Sequence, residues 1–76
     1  MQELIEYLVK ALVENPDQVV VSAVTGQQTV IYEVKVAPED IGKVIGKEGR
    51  IANALRTVVK AAAMKQGQKV SLEIIT

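Results

Sequence analysis

Leu4, Ile5, Leu8, Val9 and Leu12 return every three or four positions, the spacing that lines one face of a helix. Glu3 and Glu6 stand near the end where the helix dipole favours carboxylates, and Asn15-Pro16 stops the run, so the pattern predicts an amphipathic helix over residues 2–14. The period then changes. Residues 19–25 are short and mostly β-branched, Gly26-Gln27-Gln28 supplies a turn, and Val30, Tyr32, Val34 and Val36 alternate with Thr29, Ile31, Glu33 and Lys35. This predicts a hairpin whose second strand has one buried face. Pro38 with Glu39 and Asp40 is a helix start, but Gly42, Gly46 and Gly49 follow so closely that the helix is expected to break between Gly46 and Gly49. From Arg50, the stripe Ile51, Ala54, Leu55, Val58, Val59 and Ala62 predicts the longest helix, stopped at Gly67. Val70, Leu72 and Ile74 alternate with Ser71, Glu73 and Ile75 in a closing strand.

The order is α-β-β-α-α-β, with no linker, repeat or low-complexity segment, which predicts one domain over residues 1–76. The second and third strands are separated by two helices, so parallel pairing through a right-handed crossover is the economical arrangement. The expected fold class is α+β: a three-stranded mixed sheet with three helices on one face, and Ile31, Glu33, Glu73 and Ile75 on the other.

Composition narrows what such a domain does. The chain has neither Cys nor His, which removes disulfides, thiolate metal sites, cysteine nucleophiles and imidazole acid-base chemistry. With Tyr7 and Tyr32 as its only aromatic residues, its core must come from Val, Ile, Leu and Ala. No run approaches the roughly 20 apolar residues that cross a bilayer, and the acidic amphipathic start is unlike a secretory signal, so a cytoplasmic protein without a membrane partner is expected. Formal net charge is zero, yet residues 1–42 hold two basic against seven acidic residues and residues 43–69 hold seven basic against one acidic. That segregation fits either a solvated helix face or an anion-binding surface.

The informative stretch runs from Ile41 to Leu55. Gly46 and Gly49, three apart between short helices, let the backbone turn sharply and leave no Cβ in the way of a polymer. The helix starting at Gly49 points unpaired N–H groups and its positive end toward the same place, which favours an anion. Lys47 in the turn, with Lys43 and Arg50 beside it, adds mobile positive charge. Gly42 keeps the adjoining face flat, while Val44, Ile45 and Ile51 anchor the corner or line an apolar groove suited to unpaired bases. A bare GxxG is common as a plain helix-loop-helix corner; its place here, between two helices inside this order of elements, favours a functional turn. A Walker A loop does not fit, because only Lys43-Val44-Ile45 separate the glycines and Glu48 occupies the position of the Mg²⁺-binding hydroxyl. Adjacent Glu39 and Asp40 do not converge as a catalytic pair, and no enzymatic activity is expected.

Val44-Ile45-Gly46-Lys47-Glu48-Gly49-Arg50-Ile51 resembles the KH-domain signature, in which a GxxG loop clamps about four nucleotides of RNA. With a helix and strand ahead of the signature, the order is similar to the type II KH fold, and the whole chain is similar to the small bacterial single-KH proteins of the KhpA type. The resemblance implies a cytoplasmic single-stranded RNA-binding protein, an RNA chaperone or post-transcriptional regulator without cofactors. It also implies a larger KH-containing partner of the KhpB (Jag) type and a link to cell-envelope growth and cell length. The nominated RNA-binding residues are Gly42, Lys43, Ile45, Gly46, Lys47, Glu48, Gly49, Arg50 and Asn53. Glu48 is a departure, since a carboxylate opposes phosphate.

The rival function is a protein-interaction module of the same fold that serves mainly to dimerise, favoured by Ala52, Ala54, Ala61, Ala62 and Ala63, which let a second helix approach closely. Few aromatics mean weak base stacking and low sequence preference. A homodimer, or a heterodimer with the larger KH protein, is expected through the helix of residues 49–66 around Val58, Val59 and Ala62, or through the open sheet face at Ile31 and Ile75. Phosphate contacts from Lys43, Lys47 and Arg50 predict a slope of log affinity on log salt of roughly −2 to −3.

Overall fold

The alternation of Val30, Tyr32 and Val34 gives one strand a fully apolar face, and the computed structural model, which describes residues 1–76, sets that strand at the centre of the sheet. This strand, β2 (Thr29–Lys35), pairs antiparallel with β1 (Val20–Thr25), from Val20 opposite Lys35 to Thr25 opposite Val30. On its other side it pairs parallel with β3 (Lys69–Ile74), from Thr29 opposite Lys69 to Val34 opposite Ile74. The helices are α1 (Gln2–Leu12), α2 (Ile41–Ile45) and α3 (Arg50–Lys65), with single 3₁₀ turns at Pro16–Gln18, Pro38–Asp40 and Lys47–Gly49. The expected α-β-β-α-α-β order and mixed sheet are therefore present.

All three helices cover the same face of the sheet. Ile5 and Val9 of α1, Val44 of α2, and Leu55, Val59 and Ala63 of α3 meet Val21, Tyr32, Val34, Val70 and Leu72 from the strands in one continuous core. Each fully buried Val, Leu or Ile side chain among them contributes about 1.5–3 kcal/mol of transfer free energy. The end of α3 closes as the sequence indicates: Gly67 N–H donates to the Met64 carbonyl at 3.1 Å and Gln68 N–H to the Ala63 carbonyl at 2.9 Å, which satisfies carbonyls the helix leaves free. No helix is long and apolar enough to cross a membrane.

The structure corrects the sequence reading at two places. Helix α1 stops at Leu12 rather than residue 14, and Val13 is extended (φ −99°, ψ 162°). The reason lies 25 residues away: Asp40 accepts hydrogen bonds from the backbone N–H groups of Glu14 (3.2 Å) and Asn15 (3.0 Å), and from the Asn15 side-chain amide (3.0 Å). The second correction concerns Val59, expected on an association surface. It is 1 % exposed and belongs to the core, as do Ala52 and Ala63, which the sequence reading offered to a second helix, whereas its neighbour Val58 is 47 % exposed. A helical stripe wider than the sheet contact is split in this way, with one edge inside and the other left in water.

The open sheet face carries Ile31, Glu33, Glu73 and Ile75 as read, and Glu33 lies directly opposite Glu73. Facing carboxylates on neighbouring strands repel, so this pair costs the sheet some stability.

Asp40 has no exposed surface. Burial by itself pushes a carboxyl up, but the Asn15 amide, the two backbone N–H donors and the nearby Lys43 ammonium outweigh that and hold it below its ordinary 3.8. A lowered folded-state value adds stability that is complete above the unfolded value and lost as the pH falls through the folded one. Melting curves should accordingly show stability declining below about pH 4, and Asp40→Asn should lower the melting temperature at pH 7 by roughly 10 °C while flattening that acid decline. Identical acid profiles for both proteins would refute the assignment.

Candidate nucleic-acid interface

Helix α2 is five residues long and ends at Gly46, whose N–H donates to the Gly42 carbonyl at 2.8 Å. The backbone of Gly46 (φ 76°, ψ 175°) lies in a region open essentially to glycine alone. A Cβ there would also stand 2.6 Å from Ile51 Cγ1, because the chain passes directly against that side chain. Glu48 (φ 58°, ψ 24°) and Gly49 (φ 76°, ψ 14°) are then both left-handed, and these successive residues reverse the chain into α3. The turn is closed by Gly49 N–H to the Gly46 carbonyl at 3.2 Å and by Arg50 N–H to the Lys47 carbonyl. For Glu48, which lacks glycine's freedom, the left-handed backbone costs about 1–2 kcal/mol.

The result is an exposed corner. Lys47 and Glu48 project at its tip, and no side chain caps the first turn of the sixteen-residue α3, whose dipole favours an anion at that end. Gly42, Lys43, Ile45, Gly46, Lys47, Glu48, Gly49 and Arg50 lie together along the α2–turn–α3 corner, with Ile45 half-buried and Gly42 exposed, its missing Cβ facing open space. Asn53 sits one turn into α3; its Oδ1 accepts from Arg56 Nη1 at 3.3 Å, and its amide nitrogen lies 4.0 Å from where a Gly49 Cβ would be. Lys47 has no carboxylate partner, whereas Lys43 lies 3.9 Å from Glu14 and 3.6 Å from Asp40, and Arg50 lies 3.8 Å from Glu48.

Sequence reasoning left out the groove that continues from this corner. Strand β3 is an edge strand, and between it and α3 runs an open trough of ≈ 260 Å³ lined by Arg56, Lys60, Ser71 and Glu73 among others. Lys60 and Ser71 also line its extension of ≈ 390 Å³ toward Thr29, Gln68 and Lys69. Arg56 reaches across it, Nε donating to the outward Leu72 carbonyl at 3.2 Å. The signal for this was the Arg56–Lys60 spacing on one helix face, whose neighbour across the groove depends on how α3 lies on the sheet. No three His, Cys, Asp or Glu residues cluster as metal ligands.

An α-β-β-α-α-β fold with a glycine-bounded reversal between its second and third helices, facing an α3–β3 groove, defines a type II KH domain. The chain belongs to the KhpA/KhpB KH-domain family, whose model matches residues 2–74. It is 61 % identical over 75 residues to the RNA-binding protein KhpA of Clostridium acetobutylicum, covering 99 % of this chain and 100 % of that one. Its identity to the RNA-binding protein KhpA of Aquifex aeolicus is 47 %, covering 99 % and 95 % of the two chains. In the solved structures, Era from Aquifex aeolicus bound to GDP and aluminium fluoride superposes with a TM-score of 0.66 at 19 % identity, over 96 % of this chain and 28 % of that one. Era in complex with MgGDPNP and nucleotides 1506–1542 of 16S ribosomal RNA gives a TM-score of 0.58 at 20 % identity, again over 96 % and 28 % of the chains. At these identities the likeness is one of fold.

The two glycines of α2 and its exit respond oppositely to a methyl group. Gly46→Ala should destabilise the domain by about 3 kcal/mol through strain and the Ile51 clash, and Gly42→Ala should stabilise it by roughly 0.5–1 kcal/mol because the helix interior gains propensity at no steric cost. Denaturant unfolding of both variants checks the ordering; equal effects would contradict the geometry.

Proposed function

We propose that the chain binds single-stranded RNA as one KH unit over residues 1–76, gripping the sugar-phosphate backbone at Gly46-Lys47-Glu48-Gly49. The observation that carries this reading is the corner itself: a reversal built on left-handed backbone, presenting an unpaired Lys47 at the uncapped start of α3. Membership of a family whose relatives are named RNA-binding protein KhpA supports it. Phosphates lie against the turn, Gly42 and Ile45 offer a flat apolar shelf, and Asn53, Arg56 and Lys60 extend the contact along α3 toward the β3 edge. With about four nucleotides per groove and few aromatics to stack on, such a unit binds weakly and with little sequence preference, which suits an RNA chaperone or post-transcriptional regulator in the cytoplasm.

A paired state raises the effective affinity when two grooves engage one strand. The surface that favours pairing is an apolar groove of ≈ 350 Å³ between α1 and α3, lined by Leu8, Ala11, Leu12, Ile51, Ala54, Leu55 and Val58, with Arg50 as its one polar member. Val59 itself is buried, and this groove shares Val58 with the surface expected around Val58, Val59 and Ala62. A second copy, or a larger KH protein of the KhpB type, would cover it and leave the GxxG turn accessible. The same groove supports the reading of the chain as chiefly a dimerisation module.

Two variants separate these roles. Changing Lys47 and Glu48 together to Asp, a residue that tolerates left-handed backbone, should leave circular dichroism unchanged and weaken RNA binding by about tenfold or more, read by fluorescence anisotropy. Unchanged affinity with an intact fold would remove the turn as the binding site. Val58→Asp should abolish concentration-dependent association in sedimentation without unfolding the chain, since Val58 is exposed. If wild type and variant sediment identically at every concentration, the α1–α3 groove is not the pairing surface.

A further inference from the structure

Both cations beside Lys47 already face carboxylates in the free chain. Lys43 Nζ lies between Glu14 Oε2 at 3.9 Å and Asp40 Oδ1 at 3.6 Å, and Arg50 Nη2 lies 3.8 Å from Glu48 Oε2. The two glutamates are unlike Asp40. Their side chains are 76 % and 72 % exposed, neither carboxylate accepts a hydrogen bond, and the left-handed backbone at 48 favours residues other than Glu. Neither packing nor backbone conformation calls for a carboxylate at position 48, so its effect on the molecule is electrostatic.

We propose that Glu48 and Glu14 are built-in counter-ions of the turn, affinity-setting residues that an RNA phosphate must displace from Arg50 and Lys43. The proposal rests on the turn being the RNA-binding site. A cation with a free atmosphere of small ions releases them to bulk when a phosphate arrives, and that release makes binding tight at low salt and steeply salt-dependent. A cation paired with a tethered carboxylate releases nothing to bulk, and the displaced carboxylate stays within reach of the phosphate and repels it. Three cations therefore act as little more than one, and the wild-type salt slope should lie nearer −1 than the roughly −2 to −3 that free contacts would give.

The two glutamates differ in weight. Glu48 is the sole carboxylate near Arg50 and lies within the turn itself, so its neutralisation frees a cation outright. Lys43 keeps Asp40, which is fully buried and held by Asn15 and by the backbone N–H of Glu14, so removing the Glu14 charge frees Lys43 only in part. Both pairs are exposed and salt-screened, which limits each effect to a few-fold.

The test uses the full chain with a labelled oligouridine of roughly ten nucleotides, titrated between about 50 and 200 mM salt. Variants are Glu48→Gln, Glu14→Gln and both together. Lys47→Ala serves as the site control, and Glu3→Gln, an exposed carboxylate in the first turn of α1, as the control for net charge alone. Glu48→Gln should tighten binding about two- to fivefold at the lowest salt and steepen the slope by about 0.7, with a smaller gain, under about twofold, from Glu14→Gln, and melting temperatures should stay level. Unchanged affinity and slope in both Gln variants, while Lys47→Ala weakens binding, would overturn the counter-ion role and leave the site standing. An equal gain from Glu3→Gln would overturn it as well, showing a general charge effect. No loss from Lys47→Ala would remove the site, and this proposal with it.

Discussion

Asp40 is a charge placed where water does not reach, and the α2–turn–α3 corner hangs from it. Its carboxylate collects the Glu14 and Asn15 backbone N–H groups, the Asn15 amide and the Lys43 ammonium, so one side chain ties the exit of α1 to the entry of α2. A five-residue helix has no stability of its own. Helix α2 exists because Asp40 holds its start and Val44, wholly buried, holds its middle. The direction in which it delivers the chain to Gly46 follows from those two anchors. An isolated buried carboxylate would destabilise the fold; in this one both oxygens accept hydrogen bonds and neither is left without a donor.

From that fixed entry the chain must reverse within four residues, and the reversal is made of backbone conformations that side chains resist. Gly46 has no room for a Cβ against Ile51, and Glu48 tolerates a left-handed conformation at a cost. Strain of this kind persists where the surroundings over-determine it. Here the core residues on both sides, Val44 and Leu55, are locked into the same hydrophobic cluster, so the turn is held from both ends. A corner held from both ends loses little conformational freedom on meeting a ligand.

The charge on the surface is arranged as partition rather than excess. Acidic residues gather on α1 and the open sheet face, where Glu33 opposes Glu73, and basic residues line α3 and the β3 edge. A chain of zero net charge thus carries a groove lined by Arg56, Lys60 and Lys69 against the single carboxylate of Glu73, while Glu14 and Glu48 stand beside Lys43 and Arg50 at the turn. The apolar α1–α3 groove lies apart from the polar trough, so association through one leaves the other open.

Periodicity set four of the six elements, because the switch between helical and strand spacing is written in Leu4 to Leu12, Val30 to Val36, Arg50 to Ala62 and Val70 to Ile74, and residue type supplied the other two, the β-branched first strand and the helix start at Pro38-Glu39-Asp40. The glycine-bounded turn and its flanking cations were equally legible, since positive φ at Gly46 and Gly49 is a local demand that residue type announces. What the sequence left undecided is long-range. Val58 and Val59 are chemically alike, and only the lie of α3 on the sheet sends one into the core and the other into water. Glu39 and Asp40 look like interchangeable helix-start acids until folding brings residues 14 and 15 over one of them and withdraws it from solvent. The Arg56–Leu72 contact and the pairing of Lys43 with Glu14 likewise join parts of the chain far apart in number. Local patterns report the conformational preferences of neighbours; which side of a helix is buried, and which charge finds a partner, depend on surfaces that exist only once the elements have packed.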